Sequence, residues 1–156
     1  MLDLKAIGLG TCYTKRLVTV GLVREPGPEP SAMARLRSAA DIYRDFACLA
    51  SLDREVFIAL YLDHRNHITG LHVVSIGSLA ASLVHPREVF KAAILTNAAA
   101  LFVMHNHPSG DPTPSREDRD ITARLKRCGE ELGIPLLDHI VIGSDGYRSL
   151  AEMGLL

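Results

Sequence analysis

The segment from Met104 to Asp118 constrains the fold of this chain more than any other. It follows an apolar run, residues 98–104, which is typical of a buried strand. Helical periodicity begins near Ser115, and the loop before it contains Gly110 and three prolines: Pro108, Pro112 and Pro114. Because proline fixes φ, this strand–loop–helix unit is expected to hold polar side chains in place.

Three polar side chains of this unit form a candidate metal site. His105 and His107 are two residues apart, so in an extended backbone they project to the same side. The apolar stripe of the following helix consists of Ile121, Leu125, Cys128 and Leu132. Continued towards the helix start, this stripe reaches Asp118 and then Ser115, which places both on the inward face. A buried carboxylate needs a charged partner or a metal, and two histidines with an aspartate suit zinc, with the fourth position left to water.

An alternative interpretation of the same residues is structural. The spacing Ser115-x-x-Asp118 is also that of a capping box at a helix start. Capping and catalysis are compatible for Ser115, whereas an Asp118 that bonds back to the cap is not expected to face a metal. The histidines alone would suggest a polar loop in which imidazoles bond to the backbone. Their combination with the serine and the inward aspartate favours the metal site.

The pattern His105-x-His107, followed by Ser115 and Asp118, resembles the metal motif of JAMM proteases, the metal-binding MPN domains. The wording H-N-H-P-S-G-D-P-T-P-S-x-x-D resembles the RadC-like branch of that family. The likeness covers roughly residues 50 to 150 and includes three further stretches: residues 62–63, 85–90 and 133–139. The resemblance implies an α/β fold of the JAB/MPN type, related to cytidine deaminases, with a mixed β-sheet flanked by helices in a single domain.

The resemblance also implies a reaction, the hydrolysis of a peptide or isopeptide bond by a water that zinc activates. His105, His107 and Asp118 would then ligate the zinc ion. Ser115 would donate a hydrogen bond to the developing oxyanion. The implied partner is therefore a peptide or protein substrate.

The general base implied by the resemblance is Glu55, at the start of the strand E-V-F-I-A-L-Y-L. In JAMM enzymes a glutamate on an upstream strand holds and deprotonates the water at the zinc. This agrees with general chemistry, since zinc lowers the pKa of its water to about 7 and a nearby carboxylate can carry the proton to the leaving nitrogen. Asp53 and Glu117 are the nearby alternatives.

Composition restricts the remaining function classes. The net charge is −1, with 17 basic and 18 acidic residues, which gives no electrostatic reason to expect binding to nucleic acid or membranes. A role as a DNA repair accessory therefore rests on the traditional label of the resembled family. A non-catalytic MPN scaffold is the other alternative, which the complete ligand set disfavours. The odd number of dispersed cysteines (Cys12, Cys48 and Cys128) suggests reduced thiols and a cytoplasmic protein.

Local patterns predict the order of the elements. Residues 1–30 are interpreted as an N-terminal strand and a proline-rich linker, and residues 31–156 as the domain. Ser31 is predicted to cap the first helix. His139, beside Asp138, is interpreted as structural or as a partner of a metal ligand. The predicted helices cover residues 31–49, 86–99 and 115–132, and the predicted strands of the domain cover residues 55–62, 67–76, 98–104, 136–142 and 147–150.

Overall fold

The computed structural model describes residues 38–77 and 84–156. These ranges contain three α-helices, one short 3-10 helix and five strands. In chain order they are α1 (Ala39–Phe46), the 3-10 helix (Ala47–Ser51), β1 (Glu55–Leu62), β2 (Ile68–Gly77), α2 (Pro86–Leu95), β3 (Ala100–Asn106), α3 (Arg116–Leu132), β4 (Leu136–Gly143) and β5 (Gly146–Ser149). The predictions for residues 1–30, and the predicted cap at Ser31, lie outside the described residues.

The five strands form one mixed sheet in the order β2-β1-β3-β4-β5. Strands β3 and β4 are parallel, and the other neighbouring pairs are antiparallel. Parallel neighbours need a crossover connection, and α3 supplies it between β3 and β4. The prediction of an α/β domain with a mixed sheet flanked by helices is confirmed.

Strand β1 is buried on both faces of the sheet, which explains why it is almost continuously apolar. Phe57, Ala59 and Tyr61 point to one face and pack with residues of α2 and α3. Their neighbours Ile58 and Leu60 point to the other face and pack with α1. Alternation along the strands therefore defines an α3 side and an α1 side of the sheet.

Helix α3 carries the inward residues of the metal motif, and both of its ends are capped. Ser115 is the N-cap, and Gly133 at φ 68° is the C-cap, as the sequence predicted. The predicted apolar stripe is wrong at Leu132, which is 48% exposed. The buried residues of this helix are Asp118, Thr122, Leu125 and Gly129. Glycine suits the buried position 129, because an added Cβ would lie only 2.5 Å from Ile134 O.

The second helix is shorter than predicted. It begins at Pro86 as expected but ends at Leu95 rather than near Ala99. Asn97 has a left-handed φ of 51°, which stops the helix so that the chain can enter β3 at Ala100. Neither this helix nor any other in the described ranges combines the length and the apolar character needed to cross a bilayer.

Candidate metal centre

His105, His107 and Asp118 converge where β3 ends and α3 begins. One ligand atom from each residue lies within 4.8 Å of the other two. Nε2 of His105 is 3.1 Å from Oδ1 of Asp118, and Nε2 of His107 is 3.4 Å from Oδ2 of the same carboxylate. The structure thus brings together the three residues that the sequence nominated as metal ligands.

The loop after β3 is held against the end of β4. The backbone N–H of His107 donates to Ile142 O at 2.8 Å, so His107 remains at the sheet although β3 has ended. Gly110 adopts a φ of 90°, in the left-handed region that favours glycine. Gly143 lies directly beneath this loop, since a Cβ there would overlap Gly110 O. This close packing of backbone on backbone fixes the position of the His107 imidazole.

Asp118 caps the helix and faces the histidines at the same time. Its Oδ2 accepts hydrogen bonds from Ser115 N at 2.7 Å and from Ser115 Oγ at 2.6 Å, while Asp118 N donates to Ser115 Oγ. Its Oδ1 faces His105. The expectation that a capping Asp118 would be turned away from the histidines is wrong, because Oδ1 faces His105 while Oδ2 both bonds to the cap and lies 3.4 Å from His107 Nε2. The capping box and the candidate metal motif thus share Asp118.

The site holds Asp118 as a carboxylate. Burial acts to raise the pKa of Asp118, but the neighbouring imidazoles of His105 and His107 outweigh burial and bring the pKa well below its ordinary range. The hydrogen bond between His107 and Asp118 raises the pKa of His107, against a lowering by burial. Each of these shifts favours the charged form of its group, so an ionised Asp118 and a protonated His107 stabilise each other.

A chain of hydrogen bonds fixes the tautomer of His105. Thr122 Oγ1 donates its single proton to the carbonyl of Asp118 at 2.5 Å, so Nδ1 of His139 must donate to Thr122 Oγ1, 2.6 Å away. Burial lowers the pKa of His139, which is therefore neutral and accepts at Nε2. Nδ1 of His105 lies 2.8 Å from that atom and must be the donor. In a neutral His105 ring, the lone pair is thus on Nε2, the atom that faces Asp118.

His107 has the same tautomer for a separate reason. Its Nδ1 is 2.8 Å from the carbonyl oxygen of Asp111, which can only accept, so Nδ1 carries a proton. The two Nε2 atoms lie 2.9 Å apart. When both rings are neutral, two lone pairs and a carboxylate oxygen meet with no donor between them. A cation is the natural occupant of such a position.

Glu55 lies across the end of the sheet from His107. It is the half-buried first residue of β1. Phe57 pairs with His105 in the antiparallel register, so Glu55, two residues earlier, is level with His107. The negative charge of Glu55 contributes to the raised pKa of His107, after stronger contributions headed by the Asp118 hydrogen bond.

The two alternatives to Glu55 are less suitably placed. Asp53 is 80% exposed and pairs with Arg54 at 2.9 Å. Glu117 is exposed on the first turn of α3. Glu55 is therefore the acid of the three that the strand register directs to the histidines.

Thr122 was missed by the sequence analysis, and the role of His139 was left open. The available signal was spacing, because Thr122 follows Asp118 by one helical turn on the inward face. Periodicity analysis scores apolar residues, and a threonine in such a stripe does not stand out. The pairing of Thr122 with His139 joins α3 to β4, and the two residues are seventeen positions apart in the chain.

This fold and this cluster define a domain of the JAB/MPN class. The family profile described as the RadC-like JAB domain matches residues 36–155, so the chain belongs to that family. Among its relatives, the UPF0758 protein of Syntrophotalea carbinolica is 56% identical over 158 residues, which cover 99% of this chain and 70% of the relative.

Other relatives align over a shorter region. The UPF0758 protein of Desulfitobacterium hafniense (strain DSM 10664 / DCB-2) is 55% identical over 105 residues, which cover 67% of this chain and 46% of the relative. The UPF0758 protein of Geobacillus thermodenitrificans is 56% identical over 103 residues, which cover 66% and 46% respectively. The aligned part thus spans about half the length of these relatives.

Proposed function

We propose that this chain is a zinc-dependent hydrolase of JAMM type, which cuts a peptide or isopeptide bond. The observation that carries the proposal is the meeting of three electron-pair donors, Nε2 of His105, Nε2 of His107 and a carboxylate oxygen of Asp118. Membership of the RadC-like JAB domain family supports it, because JAB domains can be metalloproteases.

The donor set fits zinc better than a harder cation. Two imidazole nitrogens and one carboxylate oxygen are typical zinc ligands, whereas calcium and magnesium prefer oxygen. With bonds of about 2.0–2.1 Å in a tetrahedral site, ligand atoms stand roughly 3.3 Å apart. The two Nε2 atoms are 2.9 Å apart, and each lies near one oxygen of Asp118: His105 Nε2 is 3.1 Å from Oδ1 and His107 Nε2 is 3.4 Å from Oδ2. These contacts are close to the expected spacing, although the two carboxylate contacts involve different oxygens. The fourth position is left for water, as a catalytic site requires.

Zinc bound by these residues would supply Lewis-acid activation of the attacking water. Glu55 would take a proton from that water at its carboxylate and deliver it to the leaving nitrogen, so that an amide and water become a carboxylic acid and an amine. Ser115 Oγ would donate its proton to the developing oxyanion after turning away from Asp118 Oδ2, its present partner.

The first test is the amount of zinc per chain, measured by elemental analysis on protein purified without a metal-affinity resin or chelator. We expect about one zinc in the parent, loss of zinc in His107→Ala, and full occupancy in His64→Ala. His64 is the matched control, because it is an exposed histidine on the β1–β2 turn. Zinc retained in His107→Ala, or no uptake by the parent on titration, would overturn the ligand assignment.

The second test concerns hydrolysis. The parent is screened against peptides and isopeptide-linked substrates, and any activity found is compared with that of Glu55→Gln. We expect this variant to keep zinc and lose cleavage, since the amide of glutamine cannot accept the proton. Zinc binding by the parent without cleavage of any amide would favour the non-catalytic scaffold instead.

We also propose a reducing compartment, the cytoplasm. Cys48 and Cys128 are free thiols, one exposed and one half-buried, as expected where thiols stay reduced. Cys12 lies outside the described residues. Mass spectrometry of alkylated protein from cells would report the redox state of all three thiols.

A further inference from the structure

Asn106 lies between the two histidines in the chain and is fully buried. Its carboxamide reaches across to the start of β1 and makes two hydrogen bonds there. Oδ1 accepts from Val56 N at 2.8 Å, and Nδ2 donates to Arg54 O at 3.0 Å. The two bonds enclose a single residue, Glu55.

The orientation of this carboxamide follows from its partners. A backbone N–H can only donate and a backbone carbonyl can only accept, so the oxygen must face Val56 and the nitrogen must face Arg54. Exchange of the two amide atoms would break both bonds. Asn106 thus supplies one donor and one acceptor, as a peptide group in a neighbouring strand would.

The Asn106 side chain makes hydrogen bonds to β1 at a point where the main chain after β3 bonds to β4 instead. The backbone N–H of His107 is committed to Ile142 O on β4, on the opposite side of β3 from β1. The paired register of β1 and β3 begins at Phe57 and His105. The asparagine carboxamide extends the contact between these strands past that pair and holds the peptide groups on both sides of Glu55.

We propose that Asn106 is a positioning residue that directs the Glu55 carboxylate towards the metal centre. Val56 packs in the cluster on the α1 side of the sheet, so alternation turns Glu55 to the α3 side, where Phe57 stacks on His105. With the peptide groups at Arg54 and Val56 fixed, the backbone at Glu55 cannot rotate freely. This inference rests on the proposed role of Glu55 as the base, and it gives β3, the strand that bears His105, a second function.

The test follows the position of Glu55 relative to the metal and needs no substrate. The protein is labelled with carbon-13 at glutamate carboxyl carbons and loaded with Co²⁺, whose unpaired electrons shift nearby signals in the NMR spectrum. The Glu55 signal is identified by its absence in Glu55→Gln. Hydrogen exchange at the Val56 amide is measured in parallel, without metal.

Asn106→Leu removes both bonds at similar volume, and Asn106→Ser leaves a single hydroxyl that cannot span both partners. We expect each variant to bind Co²⁺, to lose most of the Co²⁺-induced shift of Glu55, and to exchange the Val56 amide roughly tenfold faster, the factor for about one lost hydrogen bond. Ser149→Ala is the control, because it removes a buried hydrogen bond to Asp138 elsewhere in the sheet. It should leave both readings of β1 unchanged.

An unchanged Glu55 shift in a Co²⁺-loaded Asn106 variant would overturn the inference. If Asn106→Leu fails to fold, Asn106→Ser decides the question by the same criterion. Failure of the parent to take up Co²⁺ is a different result, since it would refute the metal centre, and the positioning role with it. The Val56 exchange rate would still show whether the carboxamide holds β1.

Discussion

Hydrogen-bond direction at single residues fixes which nitrogen of His105 faces the candidate metal position. The carbonyl of Asp118 accepts from Thr122, Thr122 accepts from His139, and His139 accepts from His105. The first acceptor is a carbonyl and cannot donate, so the whole series has one direction. It ends on an imidazole whose Nε2 lone pair faces the carboxylate. The outer residues of a metal site commonly set ligand geometry and basicity in this manner.

The residue-scale prediction is that Thr122→Val weakens zinc binding by about 10- to 100-fold, the usual range for partners of a ligand. The valine is similar in shape but leaves Nδ1 of His139 without its acceptor, so the tautomer of His105 is no longer enforced. Isothermal titration with Zn²⁺ measures the change. Thr96→Val is the matched control, because the Thr96 hydroxyl also bonds to a carbonyl four residues earlier, in α2. Equal zinc affinity in the Thr122 variant and the parent would refute the role of the hydrogen-bond series from Asp118 to His105.

At the scale of elements, the β1–β2 turn is organised by one carboxylate. Asp63 Oδ1 accepts from the backbone N–H groups of Arg65 at 2.7 Å and His67 at 2.9 Å, and Oδ2 lies 3.1 Å from His67 Nδ1. Asn66, at φ 63°, completes the turn. The turn joins β1, which carries Glu55, to its edge partner β2.

The pH dependence of this turn can be predicted. Hydrogen bonding, first from the backbone N–H of His67, lowers the pKa of Asp63 from 3.8 to about 2. A lowered folded-state pKa contributes stability that is complete above the unfolded value near 3.8 and is lost as the pH falls through about 2. Asp63→Ala should therefore lower Tm at pH 7, and its deficit relative to the parent should shrink between pH 4 and pH 2. Thermal unfolding followed by circular dichroism measures both, and a deficit that persists unchanged at pH 2 would contradict the assignment.

At the scale of the whole molecule, the packing that stabilises the fold is separate from the cluster that would bind metal. Two apolar clusters lie on opposite faces of the sheet, one against α2 and α3 and the other against α1. The histidines and Asp118 stand at one end of the α3 side. The fold should therefore persist without zinc, and zinc should add stability by binding the folded state alone.

Chelation tests this expectation. Treatment with EDTA should leave the far-ultraviolet circular dichroism spectrum unchanged. It should also lower Tm, and added zinc should restore the original Tm. At free zinc one hundred times Kd the gain is about 2.7 kcal/mol, or on the order of 5–10 °C in Tm for a domain of this size. His107→Ala should show no zinc-dependent shift. Collapse of the spectrum on chelation would mean that the metal is needed for folding.

The sequence predicted what local patterns encode. The five strands and α3 lie near their predicted positions because apolar runs, alternation and caps are local properties. The inward stripe of α3 was predicted less well, since Thr122 and Gly129 are not apolar side chains that a periodicity analysis weighs. The contacts of Thr122 with His139 and of Asn106 with Val56 join distant segments, so they appear only after the chain has folded.

The shared carboxylate of Asp118 has an evolutionary consequence. A relative under no selection for metal binding would be free to replace both histidines. Selection for a stable start of α3 would still retain Ser115 and Asp118, because the cap does not depend on the ion. Among divergent relatives, we therefore expect the serine and aspartate to be retained even where metal binding is lost. The histidine pair would then distinguish metal-binding members from those that keep only the capped helix.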